Sequence, residues 1–230
     1  MRRAARSFPA LALAALLSAC GGDASGPSTN FTIGVGAAAP TTLGTQVTFD
    51  VMLTSTGFAG TVTLTVLNAP ATWNVAVGGG NVATLAANGN ATKTVTITIP
   101  SNGAAAPTGQ VLTVQAVSAS GTRTITKTIT VTNEFIVVMP NGTGAGTHWG
   151  TIVGTNVQLR VGTAFRFRND DGTTHQIHFD GDIPGFVHQP DPGITQGQSY
   201  VVTSTGAGVE DNVHCHIHGT GVGTFTVTVS

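Results

Sequence analysis

From residue 31 to residue 132, apolar side chains return at every second position. The runs QVTFDVMLT (46–54), GTVTLTVLN (60–68), TKTVTITIP (92–100), QVLTVQAVS (110–118) and RTITKTITVT (123–132) put Val, Ile, Leu or Phe on alternate sites. Thr fills many of the sites between them. A period of two marks strands with one face turned to a core. Clusters of Gly, Pro and Asn separate the runs, among them STGFAG, NAPATW, VGGGN, AANGN and SNGAAAPTG. Short strands spaced by turns, with no helical period, predict a β-sandwich over residues 31–132. The texture changes near Thr132-Asn133-Glu134, which marks a boundary. Beyond it, EFIVVMP, NVQLRVGTAFRFRN, THQIHFD, SYVVTST, DNVHCHIH and GTFTVTVS again read as strands. Residues 134–230 suffice for a small Greek-key barrel or sandwich, so the whole chain reads as all-β.

Composition narrows the function. The 230 residues include 31 glycines and 10 prolines, only 8% are charged, and the formal net charge is −1. Such a length suits one large domain or two of ordinary size. Nucleic acid is excluded as a partner, because phosphate binding needs clustered Lys and Arg. The apolar content is too high for disorder.

The N-terminal segment reads as a targeting signal. Arg2, Arg3 and Arg6 precede the apolar run FPALALAALL, which is too short to span a bilayer as a helix. It ends in Leu17-Ser18-Ala19-Cys20, which resembles the lipobox of bacterial lipoproteins. The resemblance implies a signal peptide over 1–20, lipid on Cys20, and a soft tether over 21–30. It places the protein in the cell envelope, anchored to a bilayer and facing the periplasm or the exterior. Gly21 after the cysteine is similar to lipoproteins sent to the outer membrane. With Cys20 lipidated, Cys215 becomes the remaining thiol of the mature chain, and no intramolecular disulfide is available. An unpaired cysteine in an oxidising compartment is buried, bound to metal, or a liability.

The stretch GFAGTVTLTVLNAPATW (57–73) and the later APTGQVLTVQAVSASG (106–121) resemble the immunoglobulin-like modules of bacterial surface proteins. Trp73 is then a core residue. No His, Cys or catalytic grouping falls between 30 and 132, so this unit reads as a spacer or adhesion module.

All seven histidines lie beyond residue 147. FRFRNDDGTTHQIHFDG (165–181) and VHCHIHGTGVGTFTV (213–227) together offer a thiolate and imidazoles, a soft donor set that suits copper. Structural zinc usually wants four ligands and paired cysteines. A Cys–His hydrolase is the further alternative. Against it, His214 and His216 flank Cys215 on a strand and point to the face opposite the thiol.

Asn169, Asp171 and His175 meet the pattern N-x-D-x-x-x-H. Cys215 and His218, then Gly223 and TFTVTV, meet C-x-x-H followed by a glycine and a terminal strand. Together these resemble the cupredoxin family of blue copper proteins over roughly 134–230. The resemblance implies a cupredoxin-like Greek-key β-barrel or sandwich with His175, Cys215 and His218 as equatorial copper ligands. It implies Asn169 as the residue fixing the loops, and outer-sphere electron transfer to a redox partner protein through His218. The axial methionine of such short loops is missing, since Gly221 stands at its position. Copper would be three-coordinate, or take a weak axial oxygen from water or the Thr174 carbonyl. A dry site lacking a thioether favours Cu(I), and a wet one loses blue character. Met139, in the first strand of this unit, reads as core.

His178, His214 and His216 remain, with Asp180 beside them. The segment HCHI is similar to that of multicopper oxidases, where both histidines flanking the copper cysteine bind the oxygen-reducing cluster. HQIHFDGD (175–182) resembles their H-P-x-H-x-H-G-H motif, with Asp180 and Asp182 in place of the later histidines. A second function class follows: a copper oxidoreductase with a second metal at His178, His214 and His216. A full cluster would need a homo-oligomer, as in trimeric copper nitrite reductases. The simpler expectation is a non-enzymatic electron carrier or copper-binding module with solvated histidines. His148 and His188 lie in loops and read as surface residues.

Overall fold

The computed structural model describes residues 30–141, 149, 152, 154–220 and 223–230. The signal segment, Cys20, the tether up to residue 29, His148 and Gly221 therefore lie outside the described residues. What is described is all-β. No helix there is long and apolar enough to cross a membrane.

The alternating runs form the first sandwich. One layer holds β1 (Asn30–Val35), β3 (Gln46–Thr56), β7 (Asn90–Thr98) and β5 (Asn74–Val77), side by side in that order. The facing layer is built from β4 (Gly60–Leu67), β6 (Val82–Leu85), β8 (Ala106–Ser118) and β9 (Gly121–Met139), with β2 (Thr41–Leu43) paired on β9. Along β3 the alternation is complete: Val47, Phe49, Val51 and Leu53 are buried and the residues between them are exposed. Burying each such side chain contributes roughly 1.5–3 kcal/mol. Trp73 joins this core and donates its indole N–H to the Ala104 carbonyl at 2.9 Å.

The second sandwich packs two layers around its own core. One layer is the far end of β9 with β11 (Ala164–Asn169) and β13 (Ser199–Thr203). The other holds β10 (Asn156–Leu159), β15 (Phe225–Val229), β14 (Gly208–Cys215) and β12 (Ile177–His178) in that order. Phe165, Phe167, Trp149 and Phe225 fill the centre, with Trp149 edge-on to Phe167 and Phe225.

The two cores are separate, yet no loop divides the chain at residues 132–134. These positions lie inside β9, whose first half pairs with β8 and whose second half pairs in parallel with β11. Ile129 and Val131 face one core; Val137 and Met139 face the other. Phe135 packs against both. Gly44 makes room for its ring: a Cβ there would collide with Phe135, and its φ of +73° is one that side chains resist. Asn133 and Gly162, and Arg160 and Asn102, add hydrogen bonds at the junction. At its end β9 reaches the histidine loop directly, for the Asp170 N–H donates to the Met139 carbonyl at 2.9 Å.

Candidate metal centre

The loop after β11 is organised by one buried amide. The Asn169 side chain donates to the carbonyls of Thr173 at 2.8 Å and Ile194 at 2.9 Å, and accepts the Asp171 N–H at 2.8 Å. Asp171 in turn accepts from the Gly172 N–H and the Thr173 hydroxyl, each at 2.8 Å. His175 is then pinned by reciprocal backbone bonds with Ile194, at 3.0 and 2.7 Å. Its Nε2 lies 3.0 Å from Asp171 Oδ2. An ionised carboxylate only accepts, so Nε2 carries the proton and Nδ1 is left as the donor atom. A histidine oriented through its far nitrogen by a carboxylate is the usual support for a metal ligand.

Cys215 arrives on the last residue of β14, opposite Ile177 of β12, and is fully buried. The chain turns at once: the Cys215 carbonyl accepts the N–H groups of His218 at 3.2 Å and Gly219 at 2.8 Å. Gly219 supplies the φ of +67° that this turn requires. The turn folds His218 back on the thiol, with Nδ1 3.1 Å from Sγ, and the His175 and His218 rings stand 5.0 Å apart. The Gln176 N–H points at the sulfur from 3.5 Å. His175, Cys215 and His218 each offer a ligand atom within 4.8 Å of the others; the first two are buried and the third half-buried.

Burial is the main influence on His175 and pulls its pKa below the usual value of 6.5. The hydrogen bond to Asp171 opposes this, the proximity of His218 adds to it, and the Asp171 charge opposes it again. The neutral imidazole is the form that binds metal. One sulfur and two nitrogens, two of these ligands on fully buried residues, match copper better than a structural zinc, which wants four ligands. Neither His214 nor His216 is bonded to the thiol. His218 does lie within hydrogen-bond reach of it, as a thiol nucleophile would need, but full burial of Cys215 denies a substrate access.

Of the remaining sequence candidates, Thr174 is half-buried next to His175, and Met139 is fully buried in the second core. His178 and His214 are paired across β12 and β14, and their rings meet tilted by 32° with centroids 4.4 Å apart. However, the potential ligand atoms that cluster are those of His178, His188 and His216, not His214. His214 turns its Nδ1 to the Asn212 carbonyl instead, at 2.8 Å. His188, expected on the surface of a loop, is brought in by Gln189. That residue pairs with Ile177 through both backbone and side chain, at 3.1 and 2.9 Å, laying the loop along the edge of β12. Gln176 reinforces it by donating to the Gln189 carbonyl and to Asp191, each at 2.9 Å. No local spacing in PGFVHQPDPG announces this pairing.

No family model matches the chain, and no curated protein matches it. Among solved structures, a purple cupredoxin from Nitrosopumilus maritimus is 27% identical with a TM-score of 0.32, over 41% of this chain and 98% of its own. A reduced amicyanin variant is 22% identical with a TM-score of 0.33, over 42% of this chain and 82% of its own. A protein of unknown function from Porphyromonas gingivalis is 12% identical with a TM-score of 0.32, over 86% of this chain and 99% of its own.

Proposed function

We propose that this protein is a membrane-tethered, type 1-like copper protein that carries single electrons. The observation that supports the reading is the group of His175, Cys215 and His218, the first two buried and the third half-buried, with ligand atoms within 4.8 Å of one another. Copper bound to such donors supplies one-electron redox chemistry. Asp171 keeps the His175 proton on Nε2 and the ring in place. Burial shields the Cys215 thiolate from water and oxidants, and the Gln176 N–H tunes the sulfur. His218 is half-buried, and its neighbour Ile217 is 51% exposed, which gives a partner protein an apolar edge beside the ligand. Cys20 is the anchor in this reading, and the first sandwich is a spacer holding the copper unit away from the membrane in the cell envelope.

Copper-loaded protein, followed by its thiolate-to-copper absorption band, should be bleached by ascorbate and restored by ferricyanide, with one electron per thiolate-bound copper and no loss over repeated cycles. Cys215→Ser should abolish the cycle. Copper that stays bound but accepts no electron would overturn the proposal. Lipid labelling in a bacterial host, lost on Cys20→Ala, tests the anchor separately.

A further inference from the structure

On the outer side of β12 and β14 stands a second cluster, made of side chains that the first group does not use. One nitrogen each from His178, His188 and His216 lies within 4.8 Å of the other two. The ring centroids are 4.7 Å apart for His178–His188, 5.0 Å for His188–His216 and 5.3 Å for His178–His216.

The protons are already placed for a ligand. His188 Nδ1 lies 2.7 Å from the Gln189 carbonyl, which can only accept, so Nδ1 carries hydrogen and Nε2 presents its lone pair. His178 Nε2 lies 2.9 Å from Asp180 Oδ1 and donates to it. His178 Nδ1 is buried with no hydrogen-bond partner. Two rings are thus each held through one nitrogen by a carboxylate or carbonyl, which in the neutral ring leaves the other nitrogen as a lone pair. Metal-binding histidines are oriented in this way. The third ring, His216, donates from Nδ1 to His188 Nε2 at 2.8 Å, a bond that a cation would replace.

The scaffold is built rather than incidental. Glu210 is fully buried and accepts the N–H groups of Asp180, Gly181 and Asp182, fixing the turn that carries the Asp180 carboxylate. Gln189 fixes the His188 loop along β12. His216 is exposed, so an ion can reach the site from solvent.

We propose that His178, His188 and His216 form a second metal site, taking a first-row divalent ion, copper(II) most tightly. Three neutral imidazoles suit such ions, and copper(II) heads the divalent affinity order. Asp180 is a positioning residue that holds His178; His214 packs against His178 and is not a ligand. The site uses none of the side chains of the Cys215 group, so either can fail without the other.

The test is a copper(II) titration of the full chain carrying Cys215→Ala, followed by EPR and metal counting. One equivalent with an ordinary tetragonal signal and nitrogen superhyperfine structure is expected. His188→Ala and His188→Gln should each abolish it, whereas His214→Ala should leave it. Asp180→Asn should weaken binding at least about tenfold without changing the stoichiometry. In the wild-type chain the same ion appears as an equivalent lacking a thiolate absorption band. A Cys215→Ala chain that takes up no copper, a signal that survives both His188 substitutions, or one lost with His214→Ala would overturn the site.

Discussion

Replacing Asn169 by alanine is the sharpest test of how the histidine loop is held. The side chain is fully buried and makes three hydrogen bonds, to Thr173, Ile194 and Asp171. At about 1 kcal/mol net for each bond, the loss is about 3 kcal/mol, rising toward 5 if the abandoned backbone groups find no water. For a chain of this size, 3 kcal/mol lowers the melting temperature by about 6–12 °C. The partners lie on both sides of His175, so its ring should lose its fixed position as well. Copper affinity should then fall by about 10–100-fold. The assay is thermal unfolding of the metal-free protein, with copper titration of the same samples. Asn169→Asp is the control that isolates hydrogen-bond polarity from volume. It puts an acceptor oxygen against the Thr173 and Ile194 carbonyls, and should cost at least as much as alanine. If Asn169→Asp melts within about 2 °C of wild type, a change under about 1 kcal/mol, the amide does not organise this loop.

Acid should destabilise the metal-free protein through His175. Its folded pKa is lowered by burial, so the unfolded chain takes the proton first. Its contribution is therefore flat above about pH 6.5 and becomes destabilising below, at up to about 1.4 kcal/mol per pH unit until the folded pKa is reached. Urea unfolding across this range should show that slope, reduced in His175→Gln; stability that rises on acidification would contradict it. Gly44→Ala should cost about 1–3 kcal/mol, since it forces a side chain into a φ of +73° against the Phe135 ring. Because Phe135 packs on both cores, denaturation followed in either sandwich should register the change.

Strands were legible because one face of each is buried, and period-two alternation survives wherever that holds, as along β3. The convergence of His175, Cys215 and His218 was equally legible, since two short motifs carry all three residues. The join between the sandwiches was less so. At Thr132-Asn133-Glu134 the strand β9 leaves β8 and takes up β11, and nothing in these polar residues announces that one continuous strand crosses the boundary. His188 was hidden for a different reason. Its place depends on Gln189 pairing with the edge of a two-residue strand, a tertiary contact with no periodic signature. Strand alternation correctly turned His214 and His216 away from the thiol, but it does not register that the Asn212 carbonyl claims His214.

The central claim is that Cys215 is a copper ligand. Copper(II) titration of the wild-type protein, read by visible absorption and EPR on the same sample, tests it most directly. One equivalent should bring an intense thiolate-to-copper band with narrow hyperfine splitting, absent in Cys215→Ser. A protein that remains colourless, or binds copper only with ordinary signals that Cys215→Ser leaves unchanged, would contradict the account.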